Sequence, residues 1–234
     1  MTQKYDTFLL DADDTLFDFT ACCQSALRRA MEENGLPYKE GYHLRYLEIN
    51  NAQWKKLERG EITRAQLFAT RFVLFLRAAG LPEAGAARLN ESYVSALSEE
   101  CVPIEGAEVF LQKLSGMGRV YIVTNGSARI QKGRFARSGF EKYLAGVFIS
   151  EEIGAYKPAL RYYEYVAAHV PAFAPAKTLL VGDSLTSDIA LANAAGLDCV
   201  WFDRAGAPLA GGAAPTYTAR DYAEVLHIAG CAAD

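Results

Sequence analysis

The feature that most constrains the fold is a series of short apolar segments, each about the length of one buried strand. Strands of a parallel sheet read as continuous apolar runs because both of their faces are covered. After residue 100, helix-period stretches separate these segments, and this alternation favours a doubly wound α/β sheet. The predicted strands are Phe8–Leu10, Val120–Val123, Val147–Ile149, Thr178–Val181 and Cys199–Phe202, with a weaker one at Thr216–Thr218. The predicted helices between them are Gly106–Met117, Ala128–Arg137, Pro158–Val170 and Asp188–Ala195.

Residues 17–100 break this alternation and contain no convincing strand. The run Thr63-Arg-Ala-Gln66 resembles a capping box at the start of one helix. We predict an α/β core of residues 1–16 and 101–234 and an inserted all-helical domain of residues 17–100. The predicted inserted helices are Phe19–Asn34, Leu44–Arg59, Thr63–Ala79 and Ala84–Glu99. We assign the aromatic residues of this insertion to its packing rather than to substrate stacking: Tyr42, Tyr46, Trp54, Phe68 and Phe72.

Composition excludes several classes of function. The chain has 234 residues, 22% of them charged, and a net charge of -4, which gives no reason to expect a nucleic acid polymer or an anionic membrane as partner. No apolar run approaches the length of about 18 residues that a membrane-spanning helix needs. The five cysteines include no Cys-x-x-Cys pair, which argues against a zinc site. Reduced thiols in a cytoplasmic protein are the simplest interpretation.

Two carboxylates follow the first predicted strand directly. Asp11 and Asp13 flank Ala12, so an extended backbone places both on one face. The carboxyl ends of parallel strands lie at one edge of the sheet, where open α/β folds bind their ligands. We expect three further segments at the same edge: Thr124–Ser127, Lys157–Pro158 and Gly182–Asp188.

The acidic residues in these segments predict a cation. Asp11, Asp13, Asp183 and Asp188 would crowd together, and two like charges about 4 Å apart repel by roughly 4 kcal/mol at an effective dielectric near 20. Such a cluster must protonate, pair or bind a metal. Its ligands are hard oxygens without neighbouring His or Cys, which favours Mg²⁺.

The remaining polar groups suit a phosphate. Lys157 supplies a positive charge, and the Thr124 hydroxyl with the backbone amides near Asn125 and Gly126 can hold phosphoryl oxygens. An aspartate can split the hydrolysis of a phosphate ester into two steps by forming an aspartyl-phosphate.

We therefore predict two different tasks for the first two acids. Asp11 is the nucleophile. Asp13 is the general acid that protonates the leaving alkoxide and then the general base that activates water.

The four segments resemble the four motifs of the haloacid dehalogenase superfamily of phosphohydrolases. Asp11–Thr15 matches D-x-D-x-[TV], Thr124 matches the Thr or Ser after an apolar strand, and Lys157 matches the Lys ahead of a helix. Gly182–Asp188 matches G-D-x-x-x-x-D. All four occur in order over residues 5 to about 203, and jointly they are specific.

The resemblance implies a Rossmann-like core, Mg²⁺ dependence and an aspartyl-phosphate intermediate. It also implies metal contacts from the Asp11 side chain, the Asp13 backbone carbonyl and Asp183. Asp188 would act on the metal directly or through water and Lys157.

The inserted helices resemble the cap of the superfamily's first subclass, which covers the site and selects small substrates. Three segments are most similar in sequence to the branch that contains the pyrimidine 5′-nucleotidases: Asp11–Phe19, Val123–Ser127 and Gly182–Ile189. One departure is Asp14, where family members often have Gly.

These observations predict a Mg²⁺-dependent phosphomonoesterase for a small phosphorylated metabolite, with a nucleoside 5′-monophosphate as one candidate. We expect a monomer or weak dimer that uses neither nucleic acid polymers nor membranes. The alternatives within the superfamily are a phosphoglycolate or sugar-phosphate phosphatase, a pyrophosphatase and a phosphomutase. A haloacid dehalogenase usually lacks the second acid, so Asp13 argues against that alternative. A non-catalytic phosphate-binding module would not need the nucleophile, the acid and the lysine together.

Overall fold

The computed structural model describes residues 4–209, 212 and 214–230. The chain divides into two compact units. The first unit contains the residues up to 18, residues 103–128 and the residues from 135 onward; the second contains residues 19–102 and 129–134. The division inferred from the sequence, a core of residues 1–16 and 101–234 and an inserted helical domain of residues 17–100, remains a prediction.

Helices make up the second unit, which we call the cap. Its helices are α1 (Phe19–Glu33), α2 (Tyr42–Glu58), α3 (Arg64–Ala78) and α4 (Ala86–Glu99). The capping box at α3 is confirmed, because Thr63 Oγ1 accepts from the Gln66 amide at 3.2 Å and Gln66 Oε1 accepts from the Thr63 amide at 2.8 Å. Tyr46 and Phe72 are fully buried and stack with ring centroids 4.8 Å apart, so their assignment to cap packing is confirmed.

The first unit contains the predicted parallel sheet. Its six strands are ordered β3-β2-β1-β4-β5-β6, and every neighbouring pair is parallel. The strands are β1 (Thr7–Leu10), β2 (Arg119–Thr124), β3 (Gly146–Ile149), β4 (Thr178–Gly182), β5 (Asp198–Phe202) and β6 (Tyr217–Ala219). All six lie at the predicted positions, and the α/β Rossmann-like fold is confirmed.

Strand β1 occupies the centre of the sheet, and all four of its residues are buried. Leu10 pairs with Ile122 of β2 on one side and with Val181 of β4 on the other. The chain order of the strands therefore reverses at β1. In open α/β sheets this switch point opens a crevice beyond the carboxyl ends of the strands.

The other helices are α5 (Ala107–Met117), α6 (Ala128–Ser138), α7 (Ser150–Ile153), α8 (Leu160–His169), α9 (Ala190–Ala195) and α10 (Tyr222–Ala229). The predicted start of α8 at Pro158 is wrong, because Ala159 has an extended backbone and the helix begins at Leu160. Residues Leu185–Ile189 form a π-helical turn before α9, so the predicted helix from Asp188 begins as this wider turn. No part of the described chain contains a helix long and apolar enough to cross a membrane.

Helix α10 was not predicted, although its start carries a sequence signal. Asp221 caps the helix by accepting a hydrogen bond from the Glu224 amide at 2.9 Å. The pattern of an acid or Ser/Thr followed three residues later by Glu, ahead of an apolar stretch, is a recognised helix start.

Candidate active site

The backbone after β1 carries Asp11 out of the sheet and then turns back sharply. The Asp11 amide donates to the Val181 carbonyl at 2.9 Å, so the ladder with β4 extends to this residue. The amides of Leu16 and Phe17 both donate to the Ala12 carbonyl, at 2.9 and 3.0 Å. Asp11 is buried, with 7% of its surface exposed, and Asp13 is half-buried.

The backbone conformation of Asp14 explains why Asp can stand where family members often have Gly. Its φ is 56°, which is the left-handed region that favours glycine. Aspartate is one of the few other residues that adopt this conformation with modest strain. The turn therefore keeps its shape with Asp in place of Gly.

Lys157 joins three segments from the centre of the site. Its ammonium group donates to Asp11 Oδ1 at 2.6 Å, to Asp188 Oδ1 at 2.6 Å and to the Val123 carbonyl at 2.7 Å. These bonds use all three of its N–H groups, and only 1% of the residue is exposed. Burial alone would lower the pKa of Lys157, but the charges of Asp11 and Asp188 outweigh it and raise the pKa above its ordinary value.

Asp188 is fixed against the end of β4 and is fully buried. Its second oxygen, Oδ2, accepts from the Ser184 amide at 3.1 Å. A Cβ atom at Gly182 would lie 2.3 Å from the Asp188 carboxyl carbon, so only glycine fits at position 182. This contact is the physical reason for a glycine at the start of the fourth motif.

Three carboxylates converge within reach of one ion. Each of Asp11, Asp183 and Asp188 offers an oxygen, and these oxygens all lie within 4.8 Å of one another. The indole nitrogen of Trp201 donates to the backbone carbonyl oxygen of Asp183 at 2.8 Å and so holds the backbone that carries one of these carboxylates. The donor set consists of hard oxygens, which fits Mg²⁺.

The charges of this cluster also fit a cation. Burial raises the pKa of Asp11 to about 7; Lys157 opposes the rise, and the charges of Asp188 and Asp13 add to it. Burial likewise raises the pKa of Asp183 well above its usual range, and repulsion from Asp11 and Asp188 adds to the effect. The single positive charge of Lys157 therefore does not neutralise the three carboxylates, whereas Lys157 together with a divalent cation would.

Thr124, Asn125 and Gly126 follow β2, as predicted, and each has a defined hydrogen bond. Thr124 Oγ1 accepts from the Gly126 amide at 3.0 Å, which leaves the Thr124 O–H to act as a donor. The Gly126 amide is thus directed at Thr124 in this structure. The parts of Asn125 and Gly126 in substrate binding remain predictions.

The structure gives Asn125 a role that sequence reasoning missed. Its side-chain nitrogen donates to the Lys157 carbonyl at 2.9 Å, and its side-chain oxygen accepts from the Lys157 amide at 2.9 Å. The two segments are 32 residues apart, so no local pattern indicates the pairing. Asn125 therefore holds the backbone that carries the central lysine.

Tyr222 is a second contact that the sequence did not indicate. Its hydroxyl donates to the Thr15 carbonyl at 2.7 Å, across 207 residues of chain. Its ring stacks on Phe110 and Phe202, with centroids 4.5 and 5.1 Å away. Helix α10 thereby supports the loop that carries the first two aspartates.

Of the predicted site residues, the structure brings together Asp11, Lys157, Asp183 and Asp188, with Thr124 at the neighbouring strand end. The side chain of Asp13 is not among the three converging carboxylates that the described residues provide. Its charge is close enough to contribute to the raised pKa of Asp11. This arrangement agrees with different tasks for the two acids and leaves the metal contact of Asp13 to its backbone carbonyl, as a prediction.

Comparison with known proteins places this chain in one family. Residues 5–196 match the family model of haloacid dehalogenase-like hydrolases. The YfnB protein of Bacillus subtilis is 36% identical over 97% of this chain and 96% of its own length, and its magnesium-bound crystal structure superposes with a TM-score of 0.91. The pyrimidine 5′-nucleotidase PynA of Streptococcus pneumoniae is 35% identical, covering 95% of this chain and 94% of its own. The pyrimidine 5′-nucleotidase YjjG of Escherichia coli is 31% identical, covering 92% and 93%.

Proposed function

This chain belongs to the haloacid dehalogenase-like hydrolase family, and we propose that it is a Mg²⁺-dependent phosphomonoesterase that works through an aspartyl-phosphate on Asp11. Membership confirms the family resemblance of the four motifs and the prediction that the chain is a hydrolase. The metal, the covalent intermediate and the substrate are the parts that we infer.

The observation that carries the proposal is the contact of Lys157 with both Asp11 and Asp188, at 2.6 Å each, beside a third carboxylate. A buried ion pair is costly unless its partners are well compensated, so such a cluster is weak evidence for stability alone. Perturbed carboxylates in a crevice are typical of catalytic sites. The Asp11 oxygen that Lys157 does not bind accepts no hydrogen bond among the described residues, so it is available for chemistry.

We assign the steps as follows. A carboxylate oxygen of Asp11 attacks phosphorus, the new oxygen–phosphorus bond forms, and the bond to the ester oxygen breaks. Asp13 donates a proton to the departing alkoxide. It then accepts a proton from the water that attacks phosphorus, and this second attack releases phosphate and restores Asp11.

The other groups stabilise charge. Asp11 and Asp183, with Asp188 directly or through water, would hold Mg²⁺, which neutralises charge on the phosphoryl group when bound. Lys157 favours the ionised form of Asp11, against the effect of burial, and orients its carboxylate. The Thr124 hydroxyl donates to a phosphoryl oxygen.

For the substrate we infer a pyrimidine nucleoside 5′-monophosphate. Two relatives that match this chain over more than 90% of both lengths carry the name pyrimidine 5′-nucleotidase. A free cytoplasmic enzyme that is a monomer or weak dimer remains the prediction from sequence.

The test is phosphate release from a panel comprising UMP, dUMP, dTMP, phosphoglycolate, sugar phosphates and pyrophosphate, with Mg²⁺ and with EDTA. We expect turnover of the pyrimidine nucleotides, its loss in EDTA and its loss in Asp11→Asn. Preferred hydrolysis of pyrophosphate, or a rearranged phosphosugar without free phosphate, would replace the proposed activity by a pyrophosphatase or a mutase. No turnover of any compound by folded, Mg²⁺-loaded protein would refute it.

A further inference from the structure

The two aspartates assigned to catalysis lie at different distances from the sheet. Asp11 is fixed by strand β4 and by Lys157, because its amide donates to the Val181 carbonyl at 2.9 Å and its Oδ1 accepts from the lysine ammonium at 2.6 Å. Asp13 lies two residues further along, beyond the end of this ladder, and its carboxylate is not one of the three that converge. The position of Asp13 therefore follows the shape of the loop that carries it.

This loop is a tight turn closed largely by its own backbone. The Leu16 and Phe17 amides donate to the Ala12 carbonyl at 2.9 and 3.0 Å, and the Asp14 amide donates to the Phe17 carbonyl at 2.8 Å. None of the backbone amides that the structure describes donates to the Thr15 carbonyl, although Thr15 is fully buried. A buried carbonyl without a partner is unfavourable, so this group needs a donor from elsewhere in the fold.

Tyr222 of α10 supplies that donor. Its hydroxyl donates to the Thr15 carbonyl at 2.7 Å. The buried hydroxyl of Thr15 has no hydrogen-bond partner among the described residues, so the contact with Tyr222 is all the more important for this residue. Removal of the Tyr222 hydroxyl would leave the Thr15 carbonyl buried and unpaired, and the turn would have to rearrange to satisfy it.

Two stacked rings fix the direction of the Tyr222 hydroxyl. Phe110 of α5 and Phe202 of β5 lie nearly parallel to the Tyr222 ring, with interplanar angles of 18° and 16°. Gly106 makes room for this stack, because a Cβ at that position would lie 3.4 Å from the Tyr222 ring. Burial raises the pKa of Tyr222 above its ordinary value, against the charge of Arg204, so the phenol stays protonated and can donate.

We propose that Tyr222 is a positioning residue for Asp13, which it holds in place for proton transfer through its hydrogen bond to the Thr15 carbonyl. The inference rests on the proposed function, in which Asp13 protonates the leaving alkoxide and then activates water. A displaced loop should impair these proton transfers more than the attack by Asp11, because Asp11 keeps its bonds to Val181 and Lys157. Helix α10, near the end of the chain, thereby acts on the reaction through the loop.

The test compares UMP with p-nitrophenyl phosphate in Tyr222→Phe, which keeps the ring stack and removes only the hydroxyl. Nitrophenolate leaves without a proton, whereas the alkoxide of a nucleoside must be protonated as it leaves. We expect kcat/KM to fall at least about 10-fold for UMP and less than about 3-fold for p-nitrophenyl phosphate, since the general acid matters only for the first ester. An equal fall for both esters would show a merely structural role and overturn the inference.

The second step is measured with p-nitrophenyl phosphate alone. Attack by water needs Asp13 as the base, so Tyr222→Phe should release a burst of about one nitrophenolate per active site and then turn over slowly. Tyr5→Phe is the matched control, because the Tyr5 hydroxyl donates to Asp198 Oδ2 at 2.7 Å, at the start of β5 and thus at the opposite edge of the sheet. It should behave as the unsubstituted protein. The same burst and turnover in both variants would contradict the proposed role of Tyr222.

Hydrogen exchange of the loop amides separates this inference from the proposed function. Without substrate, the Leu16 and Phe17 amides should exchange at least about 10-fold faster in Tyr222→Phe than in Tyr5→Phe, the factor that corresponds to about 1.4 kcal/mol. That result supports the hold of Tyr222 on the loop even if no ester is hydrolysed, in which case only the proposed function fails. Normal hydrolysis of UMP by Tyr222→Phe, with equal exchange in both variants, would refute the positioning role and leave the phosphatase proposal intact.

Discussion

Gly182 and Asp188 approach so closely that a methyl group on Gly182 would overlap the Asp188 carboxyl group at 2.3 Å. The contact lies where β4 ends, and the Asp188 carboxylate also accepts a hydrogen bond from the ammonium group of Lys157. The position of Lys157 thus depends on the absence of a side chain at Gly182, 25 residues further along the sequence. Close packing of this kind leaves little room for relaxation.

Gly182→Ala should therefore damage both the site and the fold. Overpacking costs about 1–3 kcal/mol in the free energy of unfolding, and we expect kcat/KM to fall at least about 100-fold because Asp188 and Lys157 must shift. Urea unfolding and steady-state kinetics measure the two effects. Gly116→Ala is the control, since a Cβ at that position in α5 meets nothing within 4 Å; it should be neutral or stabilising by up to about 1 kcal/mol. Wild-type activity in Gly182→Ala would contradict the geometry described for Asp188.

Asn125 should affect catalysis through Lys157. Asn125→Ala removes two hydrogen bonds to the Lys157 backbone, and we expect kcat/KM to fall about 10-fold or more because the ammonium group loses its fixed position. In a Lys157→Met background the same substitution should have little further effect on the residual rate, which is the non-additivity expected of residues in one network.

A matched control for Asn125 exists elsewhere in the chain. Asn193 forms the same reciprocal pair with the backbone of Ala214, at 2.8 and 2.9 Å. Asn193→Ala should lower stability by a similar amount, about 1 kcal/mol per hydrogen bond, without a change in kcat/KM. Additive effects of Asn125→Ala and Lys157→Met would exclude the positioning role.

Magnesium affinity should rise with pH. In the folded, metal-free protein the pKa of Asp11 is raised to about 7, so the carboxyl group holds a proton below that pH and must release it to bind a metal. Titration calorimetry between pH 5.5 and 8 should show tighter binding at higher pH and proton release at the lower values. An affinity independent of pH over this interval would contradict the charge balance described for the cluster.

The stability of the metal-free protein should change in the opposite sense. A carboxyl group whose pKa is higher in the folded state stabilises the fold at low pH, and this contribution is lost as the pH rises through the folded-state value. The Asp11 contribution therefore decreases between about pH 4 and about pH 7, while stabilisation by Mg²⁺ increases over the same interval. Thermal unfolding with EDTA and with Mg²⁺ measures both trends.

The strands and the four motifs could be predicted from sequence because their signals are local. A buried parallel strand is a continuous apolar run. The polar residues that follow β1, β2 and β4 mark the ends of these three strands. The position of β1 between β2 and β4 then brings Asp11, Thr124 and Asp183 to one edge. The presence of Asp14 where family members often have Gly also has a local explanation, because the backbone at that residue is left-handed and Asp adopts this conformation.

The remaining features depend on contacts between distant residues. Nothing near Asn125 indicates that its amide binds the Lys157 backbone, and nothing near Tyr222 indicates that it supports Thr15. The start of α8 was placed too early because Pro158 is compatible with a first helical turn, whereas the helix begins two residues later. Burial of Arg71 in α3 was also not indicated, since arginine on a helix is usually exposed, whereas Arg71 is 3% exposed and donates to the side-chain oxygens of Asn50 and Asn90.

Capture of the covalent intermediate tests the central claim most directly. The protein is mixed with Mg²⁺ and UMP, quenched in acid and treated with borohydride, which reduces an aspartyl-phosphate to homoserine, and the peptide containing residues 7–19 is sequenced by mass spectrometry. We predict homoserine at position 11, a larger amount in Asp13→Asn because the water that cleaves the intermediate is no longer activated, and none in Asp11→Asn. Hydrolysis of UMP at the normal rate with no reduced residue at position 11, or with the modification at another carboxylate, would contradict the assignment of Asp11 as nucleophile.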